Sequence, residues 1–262
     1  MSDKPSSTGT RVRRWPLTLA PVWLGLALVA AWFLVARWSG VRAVLLPGPG
    51  AVGRALVDGL VFPGHYWPYL ATTFDEAFRG CLVGSAVALP LAVVIVHSRW
   101  VSAAVTPFLG ATQAIPAVAL APLLVLWVGY GLKAIVALCA LMVFFPILVS
   151  AVVGLRTVDR RPLEAASLDG AGFWARLWHF ELPLAAPTIL AGTRNGFTLS
   201  ITGAVVGEMV IGGPGLGQLV MAQQGRDTPG LFASVIIMAL AASAVYSLIT
   251  WLEKKVSARV RP

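Results

Sequence analysis

The sequence predicts an all-α integral membrane protein with six transmembrane helices. Of its 262 residues, 58% are hydrophobic and only 12% are charged, whereas soluble globular proteins average about 45–50% apolar and about 25% charged residues. The mean hydropathy is +0.81, and the apolar residues form runs near the roughly 20 residues that one helical span requires. This composition excludes a soluble enzyme, a disordered chain and a disulfide-stapled secreted scaffold.

The predicted organisation is a cytoplasmic tail at 1–14, a transmembrane domain at 15–252 and a second cytoplasmic tail at 253–262. The first apolar run carries no charge before Arg37. It is longer than the core of a cleavable signal peptide, about 7–15 residues, so we expect it to remain as an anchor. The six spans are predicted at about 16–38, 69–96, 101–127, 132–154, 184–206 and 231–252.

Several of the predicted spans contain charged residues or closely spaced glycines. Asp75, Glu76 and Arg79 open the second span and are costly against lipid, so we expect them to face protein or water, with an ion pair locking this span to its neighbours. Small residues four apart allow close helix crossings, including a seam between two copies. These pairs are Gly80/Gly84, Gly192/Gly196 and Gly203/Gly207.

Lysine and arginine residues predict the orientation of the chain. Most of them fall in segments that share one side of the membrane with the N-terminus, and an excess of these residues marks the cytoplasmic side. Six crossings then place both termini in the cytoplasm. The net charge of +9 does not indicate nucleic-acid binding, because the basic residues are spread over short segments between apolar runs.

One segment between spans, 155–183, is polar enough to lie outside the bilayer and has helical periodicity. Asp159 suits an N-cap, and Pro162 falls in the first turn, where its missing N–H costs little. A helix at about 159–170 is too short and too charged to cross, so we expect it to lie along the membrane surface or to dock into a partner. Three small residues let a facing backbone approach closely: Ala165, Ala166 and Gly170.

This segment carries a spaced motif. Glu164-Ala165-Ala166 is followed by three residues, Gly170, nine residues, Phe180, one residue and Leu182-Pro183. The string resembles the cytoplasmic signature of the inner-membrane permease subunits of ATP-binding-cassette (ABC) importers, type I, and departs from it only at Phe180, where isoleucine is usual. The resemblance covers about 45–252 and looks like the branch that serves nitrate, sulfonates, taurine, bicarbonate, pyrimidine precursors of thiamine, and riboflavin.

The resemblance implies the type I importer permease fold in a bacterial inner membrane. It implies a homodimer of this chain, two ATPase subunits beneath it, and a periplasmic or lipid-anchored binding protein above it. The 159–170 helix would be the coupling helix that docks on the ATPase. The residues that match the coupling signature are Glu164, Ala165, Ala166, Gly170, Leu182 and Pro183.

The chain is not expected to be an enzyme or to bind a cofactor. It has no GxxxxGK[ST] string, so ATP and Mg²⁺ would be bound by the partner subunit. Its two cysteines and three histidines are scattered, and no metal site or catalytic group can be built from them. Six polar residues within or beside spans are candidates for the translocation path: Thr112, Gln113, Arg194, Asn195, Ser200 and Glu208.

Some alternatives stay open at this point. Arg194 either contributes to transport or only reaches the cytoplasmic interface, and Glu208 either organises an outer loop or meets the binding protein. The rival function is an ion-driven secondary transporter, which predicts internal repeats and acidic residues at mid-membrane; the sequence has no convincing repeat, and the central parts of the first, third, fourth and sixth spans hold no carboxylate. The substrate class is also open between a molecule like nitrate, a sulfonate or taurine and a heterocycle of the pyrimidine or riboflavin type. The tracts VGYGLKAIVAL and GRDTPGLFAS look more like permeases for the heterocycles.

Overall fold

The computed structural model describes residues 20–38, 40, 42, 44–61, 66–111 and 116–260, and its regular structure there is helical. The α-helices are α1 Ala20–Trp38, α2 Pro49–Val61, α3 Trp67–His97, α4 Arg99–Ala111, α5 Ala121–Val128, α6 Leu132–Arg156, α7 Arg160–Leu168, α8 Phe173–Arg176, α9 Leu182–Gly207, α10 Leu216–Gln223 and α11 Thr228–Val260. A 3₁₀ turn, Ala117–Leu120, precedes α5. Two π-helical turns, Leu177–Glu181 and Glu208–Gly212, flank α9.

Three helices in the described part of the chain are long and apolar enough to cross a membrane: α3, α6 and the Thr228–Lys255 part of α11. The run Phe173–Gly212 makes a fourth span if it is counted together with α10, against which it is bent by 56°. The predicted number of six is therefore not reached by length and composition. Two further apolar helices are shorter, Val22–Trp38 and Ala117–Val128.

The predicted third span, 101–127, is not one helix. Pro107 is accommodated inside α4, whereas Pro116 stands at the start of the 3₁₀ turn and Pro122 lies in the first turn of α5. Proline lacks the N–H that a continuous helix needs, which accounts for the division. Residues 112–115, between the pieces, lie outside the described residues.

The helix α6 is the centre of the bundle, because both α3 and α9 pack along its length. Its side chains Ile135, Leu138, Cys139, Val143 and Ile147 are fully buried. Lipid is as apolar as these residues, so close packing must hold the three helices together where they lie in the membrane.

The three glycine pairs make that packing possible, and all six glycines face α6. A Cβ on Gly80 would overlap Cys139, and one on Gly192 would overlap Ser150. Gly84, Gly196, Gly203 and Gly207 likewise meet Val143, Ile147, Met142 and Ile135. The predicted close crossings are therefore formed within one chain, and these glycines are not free to make a seam between copies.

A second, smaller cluster holds the N-terminal helices against α11. Val52 of α2, Tyr66, Ala233 and Ile237 are buried together. The helix α1 joins this cluster through Trp32, whose ring stacks on Phe232 with centroids 6.0 Å apart. Its other large apolar side chains are mostly exposed, as expected for a helix whose remaining faces meet lipid or another subunit.

Candidate functional site

The segment between α6 and α9 begins with a capped helix. Asp159 has extended backbone angles (φ −60°, ψ 131°), and its side chain accepts a hydrogen bond from the Arg161 N–H at 3.0 Å. Pro162 lies in the first turn of α7. The predicted N-cap is thus confirmed, and Pro162 lies where its missing N–H costs little.

The end of α7 differs from the prediction, because the helix stops at Leu168 and does not reach 170. Gly170 has a φ of +83°, the Ala171 N–H donates to the Ala166 carbonyl at 2.9 Å, and the Gly170 N–H donates to Ser167 at 3.1 Å. This pattern is a Schellman C-cap, which favours glycine at the left-handed position. A Cβ at Gly170 would meet no atom within 4 Å, so within the chain Gly170 serves the turn and not a close approach.

The outer face of this segment carries several large apolar side chains that are exposed in the described part of the chain. Glu164 and Ala165 are exposed, whereas Ala166 is buried against the rest of the protein. Leu168 is 89% exposed, and Trp174 and Trp178 follow at 68% and 62%. Such a surface is typical of a docking site for another protein or for the membrane interface.

The segment is joined to α9 without a loop. The helix α8 passes through the π-helical turn Leu177–Glu181 directly into α9, in which Pro183 occupies the first turn. The predicted break at Leu182-Pro183 is therefore a change of helix type, and Leu182 is partly buried while Pro183 is exposed. A displacement of α8 would be transmitted to α9 along one continuous run.

A contact that the sequence did not reveal anchors this run. His97, the last residue of α3, places Nε2 3.0 Å from Oε2 of Glu181 in the π-helical turn. The Phe173 ring stands edge-on to the imidazole with centroids 5.0 Å apart. No spacing in the sequence signals this pairing, because His97 and Glu181 belong to helices far apart in the chain.

Two buried carboxyl groups form a second candidate site, where α3, α9 and α10 meet. Glu208 is 1% exposed and lies in the π-helical turn after α9. Its Oε1 accepts a hydrogen bond from the Thr73 hydroxyl at 2.6 Å, and its Oε2 accepts one from the Gly217 N–H at 2.6 Å. The Thr73 Oγ1 in turn accepts from the Leu216 N–H at 2.9 Å. Glu208 thus organises the 213–217 loop, which was one of its two predicted roles.

Glu76 lies beside Glu208 and is also 1% exposed. Both side chains border Gly213, where an added Cβ would lie 3.6 Å from Oε1 of Glu76 and 3.7 Å from Cγ of Glu208. The Oε2 atom of Glu76 is buried and has no hydrogen-bond partner among the described residues. The predicted ion pair that locks α3 to its neighbours is wrong: Arg79 pairs with Asp75 on the same helix at 2.9 Å, and both are about half exposed.

The predicted path residues do not share one surface within the chain. Thr112 and Gln113 lie outside the described residues. Ser200 is buried and donates a hydrogen bond to the Ala77 carbonyl at 2.7 Å, which joins α9 to α3. Asn195 is exposed, and Arg194 points towards α11. Their role in a path stays a prediction.

Arg194 makes an ion pair that joins α9 to α11. Its Nη1 lies 2.8 Å from Oε2 of Glu253, with the two side chains 18% and 20% exposed. The guanidinium also lies over the Tyr246 ring, 4.9 Å from the centroid. The charge is therefore compensated inside the protein instead of reaching the interface alone.

The pair predicts non-additive effects of mutation. We expect Arg194→Gln and Glu253→Gln each to destabilise the protein by about 1–3 kcal/mol, since each leaves a partly buried charge without its partner. The double variant should lose much less than the sum. Thermal denaturation of the four proteins in detergent measures this, with Arg79→Gln as the exposed control. Additive losses of stability would show that the two side chains do not stabilise each other and would contradict the ion pair.

Comparison with known proteins places the chain among transport components. Residues 80–262 match the profile of the binding-protein-dependent transport system inner membrane component. The chain is 40% identical over 245 residues to the riboflavin transport system permease protein of Chloroflexus aurantiacus, covering 92% of this chain and 89% of that protein. It is 31% identical to the formylaminopyrimidine transport permease protein of Halalkalibacterium halodurans, with 90% and 93% covered. It is 28% identical to the taurine transport system permease protein of Escherichia coli, with 87% and 86% covered.

Solved structures show the same fold. An inward-facing structure of the MetNI methionine ABC transporter contains a chain that superposes with a TM-score of 0.61 at 19% identity, covering 78% of this chain and 96% of that one. An amino acid ABC transporter gives a TM-score of 0.60 at 17% identity, with 78% and 94% covered.

Proposed function

This chain belongs to the family of binding-protein-dependent transport system inner membrane components, and we propose that its cargo is a small heterocycle of the riboflavin or pyrimidine type. The chain is the membrane subunit of an ABC importer, and a separate subunit hydrolyses ATP. Family membership sets aside the ion-driven secondary transporter. The observation that carries the substrate class is the 40% identity to a permease named for riboflavin. A sulfonate-like cargo is the second candidate.

The exposed face of α7 and α8 is the surface proposed to dock on the ATPase. Glu164 and Ala165 are exposed there beside Leu168, and Trp174 and Trp178 extend the apolar surface. Residues Ala166, Gly170, Leu182 and Pro183 support this surface from within the chain. Alternating access is a two-state equilibrium, so ATP can drive it only if the contact with the ATPase differs between the states. The continuous run from α8 into α9 would carry that difference into the membrane.

The proposed complex contains two copies of this chain, two ATPase subunits and a binding protein on the outer side. Asn195 is exposed on α9, so a path that uses it would be completed by the second copy. Both termini are proposed to lie in the cytoplasm. For the C-terminus, the ion pair Arg194–Glu253 supports this, because it brings the end of α11 close to the half of α9 that follows the coupling segment.

Co-purification tests the coupling role. The chain is co-expressed with the ATPase encoded beside it, extracted in mild detergent and analysed by size-exclusion chromatography. We expect one complex with the wild-type chain and separate peaks with Glu164→Lys, since the reversed charge lies on the docking face. The matched control is Asp58→Lys, an exposed carboxylate on α2. A complex that survives Glu164→Lys would overturn the assignment of this face.

The substrate class has its own measurement. The binding protein encoded with the chain is purified and titrated with riboflavin, a pyrimidine and taurine by calorimetry. Binding of a heterocycle, followed by its ATP-dependent uptake into vesicles, supports the proposal. Binding of taurine alone would favour the sulfonate class.

A further inference from the structure

A cavity of about 700 Å³ lies between α7 and the ends of α3 and α6, and it shares Glu164 with the proposed docking face. It is a half-open cleft bounded by the ends of α3 and α6, by α7, and by α8 with the π-helical turn that follows it, and Arg156 and Arg160 are exposed at its mouth. Its ionisable lining residues are His97, Arg156, Arg160, Glu164, Arg176 and Glu181, and Ser167 and four apolar side chains complete it. We call this cavity the arginine pocket. Its volume is in the range of small-molecule sites.

The charges of the arginine pocket are not balanced within the described part of the chain. Glu181 is engaged with His97 at 3.0 Å. The other ion pairs found among the described residues are Arg79–Asp75 and Arg194–Glu253, so none of the three pocket arginines has a carboxylate partner there. Glu164 is then the one remaining acidic group of the lining, against three guanidinium groups.

Two of these arginines are held in place by neutral hydroxyl groups. Arg156 Nη2 donates to Ser102 Oγ at 2.7 Å, and Arg176 Nη1 donates to Ser167 Oγ at 2.8 Å. These bonds orient the side chains without neutralising them. The Nε atom of Arg176 is buried and has no acceptor among the described residues. A buried donor without an acceptor is costly, so an acceptor supplied from outside the chain would remove this cost.

We propose that the arginine pocket binds a phosphate group, carried either by an anionic lipid headgroup or by a soluble phosphate compound. Guanidinium groups hold phosphate oxygens through paired, charge-assisted hydrogen bonds, and three arginines line this cavity. The pocket lies where α3 and α6 end, the depth at which basic pockets of membrane proteins receive headgroups. That the leaflet is the cytoplasmic one rests on the proposed orientation, whereas the binding itself does not.

A bound phosphate would join the membrane core to the docking segment. Arg156 belongs to α6, Arg160 to α7 and Arg176 to α8, so one ligand would bridge three elements. The segment that meets the ATPase would then be held more firmly when the pocket is filled. Transport would respond to the anion without the anion being cargo.

Binding is measured on the full-length chain, first alone and then with its ATPase. In one arm, nanodiscs of phosphatidylcholine with phosphatidylglycerol are analysed by native mass spectrometry for retained lipid. In the other arm, the protein in phospholipid-free detergent micelles is titrated with inorganic pyrophosphate, and its thermal stability is recorded at each concentration. The variants are Arg176→Gln and Arg156→Gln. The matched control is Arg161→Gln, an exposed arginine on α7 that does not line the pocket.

We expect the wild-type chain and Arg161→Gln to bind the anion, and the pocket variants to bind it about tenfold or more weakly, as loss of a charge-assisted hydrogen bond implies. Arginine-dependent retention of phosphatidylglycerol identifies a headgroup, and arginine-dependent stabilisation by pyrophosphate identifies a soluble phosphate. Binding that is absent, or equal in Arg176→Gln and wild type, overturns the proposal. The proposal is also overturned if Arg176 is required for binding of the ATPase but not for binding of the anion, because the pocket would then be a contact with that protein.

Arg176→Lys is the control for misfolding. It keeps the positive charge, so it should retain part of the affinity for the anion. The outcome is separate from that of the proposed function. A chain that binds the anion but not the ATPase would contradict the coupling role alone, and a chain that binds the ATPase but no anion would contradict the arginine pocket alone.

Discussion

Glu208→Ala is expected to cost about 3 kcal/mol or more of folding stability and to abolish uptake. The substitution removes the acceptor of two hydrogen bonds that are buried, from the Thr73 hydroxyl and the Gly217 N–H. Each orphaned donor costs about 1–3 kcal/mol, and the lost side-chain volume adds a cavity. The helix α10 would also lose its link to the end of α9. Thermal denaturation in detergent, with uptake into cells, measures both effects.

Glu208→Gln separates the hydrogen bonds from the charge. The amide keeps one acceptor oxygen but turns an NH₂ group towards the other donor, so we expect about half of the loss seen with alanine. Glu164→Ala is the control, because Glu164 is exposed and its replacement should leave stability unchanged. A Glu208→Ala protein as stable as the wild type would contradict the role assigned to the buried network.

Gly170→Val is expected to reduce uptake to background while the protein still reaches the membrane. Valine is strained at the φ of +83° that closes α7, and a β-branched side chain is a severe outlier in this region. The Schellman turn would open and the docking face would lose its shape. Uptake of the substrate, normalised to the amount of protein in the membrane, is the measurement.

Gly170→Asn distinguishes conformation from close approach. Asparagine adopts left-handed angles more readily than other residues with a side chain, so it should restore a large part of the uptake if the turn is what matters. If the ATPase backbone must pass within contact of Gly170, Asn fails as fully as Val. Uptake by Gly170→Val at the wild-type level would contradict both the role in the turn and the close approach of the ATPase.

Sequence reasoning was most successful where a feature depends on neighbours along the chain. The Asp159 cap requires only the residues that follow it, and the apolar runs of α3, α6 and α9 are continuous in the sequence. The spaced string from Glu164 to Pro183 also lies within one segment, so it identified the family before any contact was known. The error at Gly170 is instructive, because its need for a positive φ is local but can be satisfied only where the helix stops.

The predictions that failed concern which helix a side chain meets. The glycine pairs were expected to serve crossings in general, including a seam between copies, yet all of them pack on α6. Arg79 and Asp75 satisfy each other on one helix, while Glu76, one residue from Asp75, is buried beside Gly213 and Glu208. Successive side chains of a helix point about 100° apart around its axis, and the sequence does not show which of these directions faces another helix.

By itself, the sequence determined that this protein resides in a membrane, which segments are helical over long stretches, and which segment carries the importer signature. Hydrophobic length and short-range spacing suffice for these features, because they are local properties of the chain. The tertiary structure decided the pairing of Thr73 with Glu208, of Arg194 with Glu253 and of His97 with Glu181. The first two pairs are 135 and 59 residues apart. The first and third contacts arise only when α6 has brought α3 and α9 together, and the second requires α11 to pack on α9, so no periodicity along the chain encodes them.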